Sequence, residues 1–117
     1  MTCQKTDRGL ICVESAVYTN VAGYAATNCF GVKGMATRSV TDGLIHLLRR
    51  EAMGKGVHIT FHEDDGISID LHIVVDRGVN LCAISSSIIN EVRYHVHRMT
   101  GTDVRNINVF IDSINVN

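Results

Sequence analysis

Proline is absent from this chain of 117 residues. Its turns and boundaries must therefore come from glycine, helix caps and hydrophobic periodicity. Long hydrophobic runs are missing as well, and none approaches the roughly 20 residues that a membrane-spanning helix needs. The opening, Met1-Thr2-Cys3-Gln4-Lys5-Thr6-Asp7-Arg8, has no apolar stretch of the kind a secretory signal carries. Charge of one sign is scarce, with a formal net charge of −1. A general nucleic-acid binder uses a basic excess to neutralise phosphates, and none is visible here. The four cysteines, at positions 3, 12, 29 and 82, include no C-x-x-C pair. With no secretory signal, they argue against a disulfide framework, and Cys29 and Cys82 read as small buried hydrophobes. Also missing are G-x-S-x-G, a phosphate-binding glycine loop followed by lysine and serine, and H-E-x-x-H.

What remains is ordinary for one globular domain, with 45% hydrophobic and 20% charged residues. Folding a chain of this size hides roughly two-thirds of its unfolded surface. The expected division is a flexible N-terminus over residues 1–8, a single domain over 9–112 and a C-terminal tail over 113–117.

Residues 9–13 suggest a short strand. Ser15 is the expected N-cap of a helix with Val17, Val21, Tyr24 and Ala25 at helical spacing, closed by Gly31 in the left-handed conformation. A weaker extended stretch, Val32 to Val40, follows. Asp42 to Lys55 suggests a helical turn or two, with Leu44, Leu47 and Leu48 on one side and Arg49, Arg50 and Lys55 exposed.

The clearest element is a hairpin. Val57, Ile59 and Phe61 alternate with His58, Thr60 and His62, and Ile67, Ile69, Leu71 and Ile73 alternate with Ser68, Asp70 and His72. A two-residue Asp65-Gly66 turn would pair Asp64 with Ile67 and set the two apolar rows on opposite faces, so burial of one face favours a three-residue loop. A three-residue loop, Asp64-Asp65-Gly66, places Gly66 at the positive-φ position and pairs Phe61 with Ile69 and Ile59 with Leu71. Asn80 then caps a long helix to about Met99, whose apolar seam is Leu81, Ile84, Ile88, Val92, Val96 and Met99, and Gly101 stops it. Residues 104–111 alternate again, with a slip near Asn106. The expected fold is α+β: a two-layer sandwich of a mixed sheet with two main helices on one face, close to the split βαβ plan.

Three features could carry function. In the three-residue register His58 lies opposite His72 on the outer face of the hairpin, with Asp70 near. Directly opposed side chains stand about 5 Å apart, so the two imidazoles are a weak candidate metal site, weighed against a polar interaction face. Glu63, Asp64 and Asp65 read as turn residues, since acid–base work needs carboxylates with divergent surroundings inside a cleft. Gly31-Val32-Lys33-Gly34 matches the bare G-x-x-G of KH domains, though extended residues follow it. No catalytic residue and no cofactor is expected.

Three blocks taken in series resemble the alkaline shock protein (envelope stress response) family. They are Val17…Val21-Ala22…Ala25-Ala26…Gly31-Val32-x-Gly34-Met35; Lys55-Gly56-Val57 with Asp65-Gly66-x-x-Ile69-Asp70-Leu71-x-Ile73-Val74-Val75-x-x-Gly78-Val79-Asn80; and Met99-Thr100-Gly101 with Val104…Ile107-Asn108-Val109. They span residues 9 to 111 and suit the short single-domain members. Arg77, Cys12, His58 and His72 depart from the family's usual residues.

The resemblance implies a non-enzymatic protein of envelope homeostasis in Gram-positive-type bacteria, acting as an interaction or scaffold module. It also implies a cytoplasmic protein, held at the membrane only through a small membrane-anchoring partner, and capable of forming homo-oligomers. Neither nucleic acid nor direct membrane insertion is expected. The alternatives are a small-ligand or metal-binding regulatory domain using His58 and His72, and a KH-like nucleic-acid binder.

Overall fold

The structure, a computed structural model, describes residues 1–38, 45–48 and 50–115. Its elements are β1 (Thr2–Thr6), β2 (Gly9–Val13), α1 (Ser15–Thr27), β3 (Val32–Arg38), β4 (Ile45–Leu47), a 3-10 helix (Arg50–Gly56), β5 (Val57–Phe61), β6 (Ile67–Asp76), α2 (Leu81–Thr100) and β7 (Val104–Asn115). The α+β expectation holds, with a five-stranded mixed sheet and a separate two-stranded one.

The organising strand is β6. One edge pairs along its whole length with β7, in parallel. The other edge is shared end to end: Ile67 to Leu71 pair with β5, and Ile73 to Val75 pair with β3. The parallel β6–α2–β7 unit needs a long crossover, which α2 supplies. Alternation along β6 sends Ile67, Ile69, Leu71 and Ile73 to one face, where all are fully buried. Each such residue contributes about 1.5–3 kcal/mol by leaving water. Both helices pack on that face, α2 through Ile84, Ile88, Val92 and Val96 and α1 through Tyr18, Ala22, Ala25 and Ala26.

The long helix forms as its sequence predicts. The Asn80 side chain accepts from the Ala83 N–H at 3.0 Å, and Gly101 ends the helix at φ 74°. Only the ends of the predicted seam differ, since Leu81 and Met99 are exposed. The slip near Asn106 is also present: the β6–β7 register shifts between the Ile67/Val104 and Ser68/Asn106 pairs.

Several expectations are corrected. Helix α1 starts at Ser15 itself, with Glu14 as an extended N-cap that makes no side-chain cap bond. Its buried stripe is displaced by one residue, to Tyr18 and Ala22, leaving Val17 and Tyr24 exposed. The buried face combines the large Tyr18 with the small Ala22, Ala25 and Ala26. Gly31 does take a positive φ of 89°, but beyond the helix end. A Cβ there would also lie 2.7 Å from the Ile84 side chain.

Of the helical turn or two expected between Asp42 and Lys55, residues 42–44 and 49 lie outside the described residues, and the 3-10 helix Arg50–Gly56 supplies the helical part. Ile45–Leu47 is instead strand β4, antiparallel to β3. The first eight residues, expected as a flexible tail, pair Thr2–Thr6 with Gly9–Val13. At the other end β7 runs past 112 to Asn115. Strand β2 therefore lies outside the mixed sheet, contrary to the split βαβ plan.

Candidate functional site: the outer face of the sheet

With both helices on one side, the opposite face of the sheet carries the polar half of each alternating strand. The β5–β6 register there differs from the expected one. Phe61 pairs with Ile67 and Ile59 with Ile69, so five residues, His62 to Gly66, form the loop. The positive φ falls on Asp65, at 68°, rather than on Gly66. The His62 N–H donates to the Gly66 carbonyl at 2.9 Å and closes the wider loop. Asp64 also forms an ion pair with Arg105 of β7, which anchors the tip. A shift of two residues preserves which face each side chain occupies but changes its partner. His58 accordingly opposes Asp70, not His72.

The two histidines still meet diagonally. Their ring centroids are 5.7 Å apart and perpendicular. The other side of His72 stacks on Phe110 at 4.9 Å, with the planes within 15°. Its Nδ1 lies 3.0 Å from Asp112 Oδ2, which holds the ring in place. Asp70 accepts from the Asn108 side chain at 2.9 Å. The three residues singled out from sequence, His58, Asp70 and His72, thus share one face. Asp112 and Phe110 complete it, and a recess of about 490 Å³ lined by Ala36, Thr37, Lys55, His58, His72 and Asp112 opens beside them. Phe110 was legible as an outward position of the last alternating run. Asp112 continues the same alternation but lies one residue past the expected run of 104–111, and the second register shift, between the Ile73/Ile111 and Val74/Ser113 pairs, leaves it without a facing residue on β6.

Chemically, much of the face is polar side chains paired with one another: His62–Ser68–Asn106, Asp70–Asn108 and His72–Asp112. Ser68 donates its hydroxyl proton to Asn106 Oδ1 at 2.6 Å, so His62 Nε2, 2.7 Å from the same hydroxyl, must donate to it. A histidine acting as general base would have to accept that proton instead. Among the described residues no three His, Cys, Asp or Glu side chains converge to hold a metal ion, and the His58–His72 pair gains no third donor. The KH-like reading fails on topology. That clamp lies between two helices, whereas Gly34 sits within β3, paired with Val74 of β6.

Away from this face, the histidines of α2 behave as side chains of a solvated helix, with His95 3.2 Å from Glu91. The cysteines divide in a way the sequence did not show. Cys82 is exposed, and Cys3 and Cys12 form a disulfide. Cys29 is half-buried; burial, helped by nearby Glu91 and opposed by a hydrogen bond from Ser87, raises the pKa of its thiol.

An α+β sandwich, covered by helices on one side and open on the other, is the class that these observations define. The chain belongs to the alkaline shock protein 23 family, described as having a cell envelope-related function, whose model matches residues 3–116. It is similar to the uncharacterized protein YloU of Bacillus subtilis, 32% identical over 96% of this chain and 93% of that one. It is similar also to the uncharacterized protein Spy1614 of Streptococcus pyogenes, 36% identical over 95% and 92% of the two chains. A third relative is the uncharacterized protein YqhY of Bacillus subtilis, 31% identical over 97% of this chain and 83% of that one. No solved structure matches significantly. No helix among the described residues is long and apolar enough to cross a membrane.

Proposed function

We propose that this protein is a non-catalytic interaction module of the cell envelope that engages a protein partner through the outer face of its sheet. The observation that carries the reading is the exposed aromatic cluster: Phe110 stacked on His72, with His58 against its edge, beside a 490 Å³ recess. Aromatic side chains held rigid by their neighbours anchor protein interfaces at low entropic cost. The outer edge of β7 adds a second opportunity. No strand among the described residues pairs with it, and unpaired backbone groups invite strand addition from a partner or a second copy. On this reading the protein is cytoplasmic and reaches the envelope through a small membrane-anchored partner.

The test places a photo-crosslinking residue at Phe110 and, as a control, at Ser86 on the exposed face of α2. Crosslinks to a membrane protein from position 110 but not from 86, lost in Asp112→Asn, are expected. Equal crosslinking from both positions overturns the reading. A sedimentation profile that stays monomeric at high concentration removes the second copy as the occupant of the β7 edge.

A further inference from the structure

We propose that Cys3 and Cys12 form a thiol–disulfide exchange site, whose substrate is a small-molecule or protein dithiol and whose redox state orders or releases the β1–β2 hairpin. Cys3 and Cys12 are directly opposed in the antiparallel ladder and joined as a disulfide. Both lie on exposed stretches of strand, open to an attacking thiolate. Lys5 follows Cys3 on the same face of β1, and a nearby cation favours the thiolate that exchange requires. Cys29 provides the contrast within the molecule, since its half-buried thiol has its pKa raised and is the less reactive kind.

The consequence follows from how little else holds this hairpin. It is a two-stranded sheet of its own, nearly all exposed, with Leu10 and Ile11 facing water. An isolated two-stranded hairpin is marginal in water. Its ties to the body are few: Val13 packs against the core, and the Thr2 hydroxyl meets that of Tyr18. The hairpin also forms one wall of a 430 Å³ recess, whose other wall is built from Asp64 to Gly66, Thr100 to Asp103 and Arg105. Closing a loop of about ten residues shifts the order–disorder equilibrium by roughly a hundredfold in the chain-entropy account.

The exchange balances as follows. A thiolate of the dithiol attacks one sulfur of the pair, the S–S bond breaks, and a mixed disulfide and one cysteine thiol result. The second thiol of the reductant then attacks the mixed disulfide, frees the other cysteine and leaves as a cyclic disulfide. Two electrons pass to Cys3 and Cys12, and two protons end on their sulfurs.

The experiment uses the full chain equilibrated with a small-molecule dithiol, dithiothreitol, and its cyclic disulfide at ratios from reducing to oxidising, read by thiol counting after denaturation and by hydrogen-exchange mass spectrometry. In oxidising buffer two thiols, Cys29 and Cys82, are expected. In reducing buffer all four cysteines should count. Reduction should lower amide protection in Thr2–Thr6 and Gly9–Val13 by about a hundredfold, while α2 changes by less than about threefold. Cys12→Ser should match the reduced state in every buffer; if that variant fails to fold, the reduced wild type carries the same comparison. Four thiols at every ratio of dithiothreitol to its disulfide, a disulfide-linked dimer, or hairpin protection unaffected by reduction overturns the proposal. Protection lost equally from α2 overturns its local character.

Discussion

The molecule contains two antiparallel hairpins that are held by different means. β5–β6 is embedded: its inner row, from Val57 and Ile59 to Ile69 and Leu71, faces the helices, and β6 has strand partners on both edges. β1–β2 has no third strand and almost no buried side chain, and a covalent bond crosses it. The first is stabilised by apolar area removed from water. The second relies on lowering the entropy of its open state. Redox conditions should therefore act on one hairpin and leave the other, with the outer sheet face, largely unchanged.

The comparison can be broken or sharpened by substitution. The largest effect is expected in the embedded hairpin. Ile69→Ala removes a fully buried side chain and should destabilise the whole domain by about 2–5 kcal/mol in urea unfolding. A loss below about 0.5 kcal/mol would show that β5–β6 is not the stable element. Next comes Tyr18, whose hydroxyl lies 2.6 Å from that of Thr102 and also meets Thr2, joining hairpin, helix and the turn after α2. Tyr18→Phe leaves the buried Thr102 hydroxyl short of a partner and should cost about 1–2 kcal/mol, with faster amide exchange in β1 than in β6. Equal acceleration in both strands would dissolve the distinction between the two regions.

On the outer face, Asp112→Asn should change stability by less than about 1 kcal/mol, because the His72–Asp112 pair is partly solvated. The same change should release the His72 ring from its stack on Phe110, seen as altered ring-current shifts in NMR. Leu10→Ser, in the exposed hairpin, should fall within about 0.5 kcal/mol of wild type. The smallest effect is chemical. At mildly alkaline pH Cys82 should alkylate faster than Cys29, whose thiol ionises only at higher pH because it is half-buried. A reversed order in a timed mass measurement would contradict that assignment.

The residues of the candidate face were legible because alternation has a period of two, and any even shift in register leaves each side chain on its side. His58, Asp70 and His72 therefore share a face whether the loop has three residues or five. Their partners were not legible. The wider loop is set by Asp65 taking the positive φ and by Asp64 reaching Arg105, a contact 41 residues away that no local pattern contains. Asp112 lies just past the expected alternating run, and its contact with His72, 40 residues away, exists only because β7 pairs in parallel with β6. The shifted stripe of α1 was equally invisible locally, since Tyr18, Ala22 and Ala26 are buried through contacts with the rest of the core.

Determined by the sequence alone were the α+β class, the capped helix from Asn80 to Gly101 and the apolar row of β6. In each, the signal lies within a few residues of its effect. Only the tertiary structure decided that Cys3 meets Cys12, that the first hairpin stands apart from the main sheet, and that His72 rests between His58, Phe110 and Asp112. Those pairings depend on which strands become neighbours, and that choice is made by burial of the whole core rather than by any one segment.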